Sequence, residues 1–215
     1  MENESIAKEC SIHVFGGGTS FYVRPNLVLS APSRGTTARQ IARILEKKGE
    51  KFRLHLTRMA GGGAALDTNK DVESRLSKVV SFPDTKLVFL STALCAWEGS
   101  IRTLQGGLPV GKQHPPIPTN KGSVNLLLNP AENLAKKIRE IRKDLILVGF
   151  RSTSGASLAE QRKASMDSLR CYDIVLCNDY ITQQNLIVAE GRELYGTKDR
   201  QNALKGLIEA SLFFR

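Results

Sequence analysis

A run of small residues near the N-terminus has the composition of a phosphate-binding segment. The sequence Ser11-Ile-His-Val-Phe-Gly-Gly-Gly-Thr19 is typical of a short apolar strand that stops at three glycines and a threonine. Glycines at the carboxyl end of a strand let backbone N–H groups approach a ligand without interference from a Cβ atom. We therefore expect a phosphate or nucleotide cradle here, with a tight turn as the alternative. Its residues would be Gly16, Gly17, Gly18 and Thr19.

A predicted helix start follows in Ser33-Arg-Gly-Thr-Thr-Ala-Arg-Gln-Ile-Ala42, with Thr36 or Thr37 as a candidate N-cap. A helix N-terminus carries partial positive charge and N–H groups without intrahelical partners, so it favours an anion. The pattern is neither a Walker A loop nor G-x-G-x-x-G, because residue 21 is phenylalanine. The two stretches therefore predict a phosphate-like ligand and leave its identity open.

Composition and charge narrow the function classes. The 215 residues are 41% hydrophobic and 24% charged, which suits one α/β domain with a substantial core. The net charge of +10 allows a nucleic-acid partner, but the basic residues are dispersed and aromatic residues are only 6%. A small anionic substrate explains the same charge and is favoured over nucleic acid.

The cysteines and the apolar runs indicate where the protein resides. No apolar run is long enough to span a bilayer, and the polar N-terminus does not resemble a signal peptide. Cys10, Cys95, Cys171 and Cys177 lack C-x-x-C spacing, and the scattered histidines argue against a zinc site. We expect reduced thiols in a cytoplasmic protein that has no membrane partner.

Predicted strands alternate with predicted helices along the chain. The strands are expected near residues 11–15, 52–57, 86–94, 124–128, 144–150, 173–177 and 185–188, and the helices near 36–48, 71–80, 130–142, 157–169 and 200–213. This alternation predicts a three-layer, Rossmann-like α/β fold, a mostly parallel sheet with helices on both faces. Ligands of such sheets bind at the carboxyl ends of the strands. That rule gathers residues 16–19, 91–97, 150–154 and 178–179 into one neighbourhood.

Two further segments stand out within the single predicted domain, residues 1–215. Residues 99–122 are rich in glycine and proline and show no periodicity, which predicts a flexible active-site loop, with a surface excursion as the alternative. Residues 1–9 are polar, and we expect them to be disordered.

The same stretches, in the same order, resemble the phosphopantothenoylcysteine synthetase (phosphopantothenate–cysteine ligase) family of coenzyme A biosynthesis. The matching segments are Gly17-Gly-Thr19 with Ser33 and Gly35, Ser91-Thr-Ala-Leu-Cys-Ala-Trp97, Lys112, Asn129-Pro130, Leu147-Val-Gly-Phe150 and Cys177-Asn178-Asp179. Each motif is weak alone, but together they span nearly the whole chain in register. The chain is identified by this resemblance as a divergent member.

The resemblance implies a reaction and a set of site residues. A nucleoside triphosphate, CTP or ATP with Mg²⁺, would activate the carboxylate of a phosphorylated small-molecule substrate, and an amine would then form the amide. Lys112, or Lys121, would close over the triphosphate. No metal ligands are assigned, and a homodimer is implied. The nucleotide would contact Gly16, Gly17, Gly18, Thr19, Ser33, Gly35, Ala93, Phe150, Asn178 and Asp179.

Asn178 and Asp179 would contact a ribose or base, and the alternative is a turn in which Asp179 caps nearby N–H groups. Arg151 and Ser152 would bind a second anion, such as a substrate phosphate.

The chain lacks several residues that the family uses for catalysis. Ala31 occupies the position of the catalytic asparagine, and Asn26 is the nearest substitute. Arg24 matches the family's substrate-binding arginine only if a gap is opened. Ala96 and Ala131 replace acidic residues. These losses keep two alternatives open, a nucleotide-binding regulator or pseudoenzyme of the same fold and a basic RNA-binding module.

Overall fold

The computed structural model describes residues 10–103 and 106–215, without the side chains of residues 103 and 121. The expected disorder of residues 1–9 and the side chain of Lys121 therefore lie outside the described residues. The strands are β1 Ile12–Gly18, β2 Ser20–Arg24, β3 Leu27–Ser30, β4 Phe52–Leu56, β5 Leu87–Ala93, β6 Trp97–Thr103, β7 Gly106–Leu108, β8 Asn125–Pro130, β9 Ile146–Thr153, β10 Ile174–Asp179, β11 Asn185–Ala189 and β12 Arg192–Thr197. The helices are α1 Thr36–Lys47, α2 Asn69–Val80, α3 Leu134–Ile141, α4 Leu158–Ser168 and α5 Arg200–Phe214.

The central sheet has seven strands in the order β12-β11-β10-β9-β5-β1-β4. Five neighbours, from β10 to β4, run parallel, and β11 and β12 are antiparallel additions at one end. Strands β2 and β3 form a separate hairpin, and β7-β6-β8 form a small antiparallel sheet. The predicted α/β class with a mostly parallel sheet is confirmed.

Helices cover both faces of the central sheet. Helices α1 and α5 bury alternate strand residues such as Val14, Phe89 and Leu176, and we call this side the α1 face. Helices α2, α3 and α4 cover the opposite side, the α2 face, where Phe15 and Leu147 are buried. Because successive strand residues point to opposite faces, these two clusters fix the side on which each later strand residue lies. The predicted three layers are confirmed.

The glycine run does not form a loop after the first strand. β1 continues through Gly18, and its three glycines pair with Ser91, Thr92 and Ala93 of β5. A Cβ atom at Gly16 would lie 2.2 Å from the Cβ atom of Ala38, so glycine is needed for α1 to pack this closely on β1. The prediction of a loop was wrong. Glycine allows both the close packing of a helix and the close approach of a ligand, so the residue type alone does not distinguish the two.

Residues 99–122 are not an aperiodic loop throughout. β6 and β7 occupy their first part, and β6 pairs with β8 from Trp97↔Pro130 to Arg102↔Asn125. That pairing also corrects the helix predicted from residue 130. The helix begins at Leu134 instead, and the Asn133 side chain caps it by accepting from the Lys136 N–H at 3.2 Å. Pairing between distant strands overrode the local helix signal.

The four cysteines are all free, with Cys95 and Cys177 buried and the other two half-buried. Within residues 10–103 and 106–215, no helix combines the length and the apolar character that crossing a bilayer requires.

Candidate functional site

The carboxyl ends of the parallel strands bring the predicted stretches to one edge of the sheet. Gly18 pairs with Ala93 across β1 and β5, and Ser152 pairs with Asn178 across β9 and β10. Strands lie about 4.8 Å apart, so the ends of β1 and β10 are separated by roughly 14 Å along this edge. The stretches that are distant in sequence therefore converge as the fold rule predicts.

Strand alternation divides the predicted residues between the two faces. Phe150 packs against the cluster of the α1 face, and Ser152 lies two residues further along the same strand. Asn178 follows Leu176, another residue of that cluster, so it also lies on the α1 face. Arg151 and Asp179 occupy the alternate positions and lie on the α2 face. The sequence predicted that Arg151 and Ser152 bind one anion together. Because the two side chains lie on opposite faces of the sheet, they are not placed to do so.

The N-terminus of α1 lies on the same face as Phe150 and Asn178. Its N-cap is Gly35, in the left-handed region at φ 72°, and no side chain caps the helix, which corrects the predicted Thr36 or Thr37 cap. The Ser33 hydroxyl accepts from the Gly35 N–H at 3.4 Å, so it shapes the turn that leads into the helix. First-turn N–H groups without a side-chain acceptor are suited to an anion. Ser33 and Gly35 thus lie at the same edge of the sheet and on the same face as Phe150 and Asn178.

Two of the amides predicted to cradle phosphate have partners within the protein. The Gly18 N–H donates to the Ser33 carbonyl at 2.9 Å, and the Thr19 N–H donates to the Ala93 carbonyl at 3.1 Å. The buried Thr19 hydroxyl donates to Asn69 Oδ1 at 2.6 Å and accepts from the Cys95 N–H at 2.8 Å. Thr19 therefore joins β1, β5 and α2 at the point where their loops diverge. In this arrangement these groups stabilise the edge and do not face a phosphate.

Asp179 caps nearby N–H groups, which was the alternative to its predicted contact with a ribose or base. Its carboxylate accepts from the N–H groups of Gly155, Ala156, Ile181 and Thr182 at 2.8–3.0 Å, and from the Thr153 hydroxyl at 2.8 Å. The Thr182 N–H and the other donors lower the pKa of this carboxyl far below its ordinary value. The side chain fastens the loops after β9 and β10 together, so it is a poor candidate for direct contact with a nucleotide.

Lys112 binds a carboxylate that the sequence analysis did not single out. Its Nζ lies 2.6 Å from Asp67 Oδ2 and 3.8 Å from the centre of the Tyr22 ring, and the Tyr22 hydroxyl donates to the same oxygen at 2.9 Å. Burial raises the pKa of Asp67, but the hydrogen bonds from Lys112 and Tyr22 outweigh it and leave the pKa below its ordinary value. A cavity of about 430 Å³ opens beside the cluster, at the start of α2. No motif marks Asp67 or Tyr22, because only tertiary folding brings them to Lys112.

Asn26 and Arg24 hold a loop in place. The Asn26 side chain exchanges two hydrogen bonds of 3.0 Å with the backbone of Ile117, and Arg24 Nη1 donates to the Pro115 carbonyl at 3.4 Å. Asn26 lies at the turn between β2 and β3, whereas the candidate site lies at the carboxyl ends of the central strands. The predicted catalytic role of Asn26 is therefore not supported by its contacts. Both residues anchor the segment that carries Lys112.

Arg151 lies on the opposite face of the sheet from two other polar residues, Arg200 and Asn185. Arg151 is exposed on the α2 face, where it lines a cavity of about 540 Å³ with Lys163 of α4 and other residues. Arg200 and Asn185 lie instead toward the α1 face, and Arg200 Nη1 donates to Asn185 Oδ1 at 2.9 Å. Asn185 is the register partner of Asn178 across β10 and β11. Neither residue belongs to a recognisable motif.

Solved structures with the same arrangement of elements clarify the resemblance. No family model and no curated protein matches this chain. The DNA/pantothenate metabolism flavoprotein from Streptococcus pneumoniae superposes with a TM-score of 0.79 at 18% identity, over 96% of this chain and 100% of that one. The C-terminal domain of the coenzyme A biosynthesis bifunctional protein CoaBC gives a TM-score of 0.63 at 14% identity, over 97% of each chain. The chain shares the fold of these proteins.

A third neighbour extends the comparison to a ligand complex. A Cab2 mutant in complex with phosphopantothenate-cysteine gives a TM-score of 0.61 at 12% identity, over 99% of this chain and 90% of that one. The resemblance predicted from the motifs is therefore confirmed at the level of the fold. One fold can support many different activities, so the reaction of this chain must be argued from the residues of its candidate site.

Proposed function

We propose that this chain is a nucleotide-dependent ligase resembling phosphopantothenate–cysteine ligase, with CTP or ATP as one substrate. The observation that carries the proposal is the convergence of Ser33 and Gly35, at an α1 N-terminus without a side-chain cap, with Phe150 and Asn178 on the same face of the same edge. The fold neighbours from pantothenate metabolism and coenzyme A biosynthesis support it.

The proposed reaction has two displacements. A carboxylate oxygen attacks the α-phosphorus, and the bond to pyrophosphate breaks. An amine nitrogen then attacks the acyl carbon, the nucleoside monophosphate leaves with the bonding electron pair, and the nitrogen loses a proton. First-turn N–H groups of α1 would bind phosphate oxygens, while Phe150 would contact the base or ribose and the Asn178 amide would hydrogen-bond there. Fixed donors of this kind lower the barrier by stabilising charge that develops at phosphorus.

Lys112 must leave Asp67 before it reaches a triphosphate. The lysine side chain is 49% exposed although that of Asp67 is only 11% exposed, so water screens the lysine end of this ion pair. A triphosphate carries more negative charge than one carboxylate, so its binding compensates for breaking the pair. Movement of the segment anchored by Arg24 and Asn26 would therefore deliver Lys112 and exclude water from a hydrolysable intermediate.

Magnesium would arrive as part of the nucleotide substrate. Within the part of the chain that the structure describes, no three His, Cys, Asp or Glu side chains form a group that could hold a metal ion. Mg²⁺ retains several waters and takes phosphate oxygens readily, so the triphosphate itself fits the ion. Bound there, it would neutralise phosphate charge.

Two measurements test the proposal in sequence. CTP or ATP with Mg²⁺ is expected to raise the melting temperature of the protein by several degrees, since a ligand that binds only the folded state stabilises it. Pyrophosphate release is then measured with a panel of phosphorylated carboxylates and with cysteine or another amine. Nucleotide binding with substrate-dependent pyrophosphate release supports the ligase. A protein that no nucleoside triphosphate stabilises would refute it.

A nucleotide-binding regulator or pseudoenzyme is the second candidate. Two observations favour it, because both indicate that a catalytic asparagine is missing. Ala31 occupies the position of the family's asparagine, and hydrogen bonds with Ile117 hold the side chain of Asn26 at the hairpin. Nucleotide binding without pyrophosphate release from any pair in the panel would select this candidate. Stabilisation by an RNA oligonucleotide alone would instead select the basic RNA-binding module.

A further inference from the structure

The guanidinium of Arg200 lies between two elements that meet at the candidate site. Arg200 is the first residue of α5, and its side chain is half-buried. Nη1 donates to Asn185 Oδ1 at 2.9 Å, and Nη2 donates to the Thr37 hydroxyl at 3.4 Å, in the first turn of α1. Both acceptors are neutral. The side chain therefore links α5 to the α1 N-terminus on the face that carries Phe150 and Asn178.

The electrostatics of this position are unfavourable for the protein alone. A cation beside a helix N-terminus meets the positive end of the helix dipole, and Arg200 lies at the first turns of both α1 and α5. Among residues 10–103 and 106–215, no Asp or Glu carboxylate forms an ion pair with it, and the carboxylate of neighbouring Asp199 caps α5 instead. Desolvation by burial lowers the pKa of Arg200.

A local arrangement that opposes simple electrostatics is a mark of a functional position. A guanidinium carries five N–H groups, and the two named contacts engage two of them. An anion between α1 and Arg200 would accept from the others and would compensate the positive charge that accumulates there.

We propose that Arg200 binds the polyphosphate of the nucleotide, opposite the first turn of α1. This inference rests on the proposed function, because it assigns a residue to the same nucleotide site. It also gives that site a preference, since a nucleoside without phosphates would not use Arg200. Asn185 acts as a positioning residue that orients the guanidinium from β11.

A purely structural role for Arg200, as a tie between α1, β11 and α5, makes a different prediction. Removal of a tie lowers the stability of the protein and leaves the discrimination between phosphates and nucleosides unchanged. Removal of an anion-binding group weakens phosphate binding specifically. The charge-free variant Arg200→Met separates the two, because methionine keeps much of the side-chain volume.

The matched control is Arg192→Met. Arg192 is exposed, pairs with Glu190 at 3.1 Å and begins β12 at the opposite edge of the sheet. Binding is measured by thermal shift and calorimetry with inorganic tripolyphosphate, with CTP and ATP plus Mg²⁺, and with cytidine and adenosine. Arg200→Met is expected to weaken tripolyphosphate and triphosphate binding by roughly 10- to 100-fold and nucleoside binding by less than about twofold. Arg192→Met is expected to bind as the wild type does.

The outcomes separate this inference from the proposed function. Wild-type affinity of Arg200→Met for tripolyphosphate and triphosphates overturns the role of Arg200 and leaves the proposed function standing. Stabilisation by tripolyphosphate that depends on Arg200, without binding of any nucleotide, supports the anion site and refutes the nucleotide ligase. Equal affinities of the wild type for nucleosides and triphosphates also overturn the role of Arg200.

Thr37→Asp tests the site in a protein that keeps Arg200. A carboxylate at this position would pair with the guanidinium and with the helix dipole, so stability is expected to hold or rise while tripolyphosphate binding is lost. Ser81→Asp, which adds the same charge at an exposed residue after α2, is the control and should retain tripolyphosphate binding. Undiminished tripolyphosphate binding by Thr37→Asp would overturn the proposal even where Arg200→Met fails to fold.

Discussion

Two buried histidines, which are far apart in the sequence, lie side by side on the α2 face. His13 Nδ1 lies 3.1 Å from His55 Nε2, and the His55 ring stacks on Phe15 with centroids 4.3 Å apart. Burial lowers the pKa of His13 to about 4 and that of His55 to about 3. Both side chains are therefore neutral in the folded protein at neutral pH, and they link β1 to β4 as part of the core.

These histidines predict a loss of stability in mild acid. The ordinary pKa of histidine is 6.5, so below that pH the unfolded chain binds protons that the folded chain excludes. We expect the free energy of unfolding to be flat above pH 7 and to fall between pH 6 and 4 by roughly 1.4 kcal/mol per pH unit for each histidine. Urea unfolding at a series of pH values measures it.

His55→Gln is expected to halve that slope, because His13 alone then contributes to it. Equal unfolding free energies at pH 7.5 and 5 would contradict the assignment. The pKa of Asp179 is lowered from an ordinary value of 3.8, so the stability that this carboxylate contributes is lost mainly at and below the acid end of this window.

Lys112→Ala gives the residue-scale test of catalysis. Asp67 keeps its hydrogen bond from Tyr22 and its ion pair with Arg58 when Lys112 is replaced, so the free energy of unfolding should fall by only about 1–2 kcal/mol. Pyrophosphate release is expected to be abolished, because the cation that reaches the triphosphate is removed. Lys78→Ala, on the exposed surface of α2, should retain full turnover. Normal release by Lys112→Ala would remove Lys112 from the mechanism.

At the scale of the elements, β1 and α1 form the unit that places the candidate site. The helix rests on glycine backbone at Gly16, and its first turn follows the Gly35 N-cap at the edge of the sheet. The order of the elements was predictable because helical and strand periodicities are local properties of the sequence. The pairing of β6 with β8 was not, since it depends on residues about 30 positions apart that no local pattern relates. The sequence alone did not show that Arg151 and Ser152 lie on opposite faces of the sheet. That assignment depends on Val148 and Phe150, whose packing identifies which residues of β9 point toward the α1 face.

Gly16→Ala is expected to separate the helix from the strand. The new methyl group would lie 2.2 Å from the Ala38 Cβ atom, so α1 must shift, and overpacking of this kind costs about 1–3 kcal/mol. Urea unfolding measures the loss, and nucleotide binding should weaken with it because the first turn of α1 moves. Gly63→Ala is the control, since a Cβ atom there meets nothing within 4 Å. Equal stability of the two variants would show that α1 packs less closely than described.

At the scale of the whole molecule, the small sheet formed by β7, β6 and β8 carries exposed apolar side chains. The side chains of Trp97 and Leu128 are 49% and 44% exposed and lie on one face of this sheet, and the side chain of Leu127 is 39% exposed on the other face. Exposed apolar residues that cluster on one sheet are typical of an interface, whereas single ones are ordinary. The sequence motifs implied a homodimer without locating its interface, because an apolar strand residue does not reveal whether its own chain covers it.

We expect the protein to be a homodimer that buries this sheet. Light scattering coupled to size-exclusion chromatography should give twice the chain mass of 23.6 kDa. Trp97→Lys should yield a monomer, because a charge in an apolar interface is costly to desolvate. Phe213→Lys, at an 86% exposed position on α5, should remain dimeric. A wild-type monomer at micromolar concentration would refute the expectation.

The carboxylate of Asp179 gives the loops after β9 and β10 a common anchor. We therefore expect their motions to be correlated, so that a ligand that displaces residues 153–157 would also displace residues 180–184. Hydrogen exchange would record the two segments as one cooperative unit, opening and closing with a single free energy. Evolution could remodel either loop only while it preserved the geometry of the other.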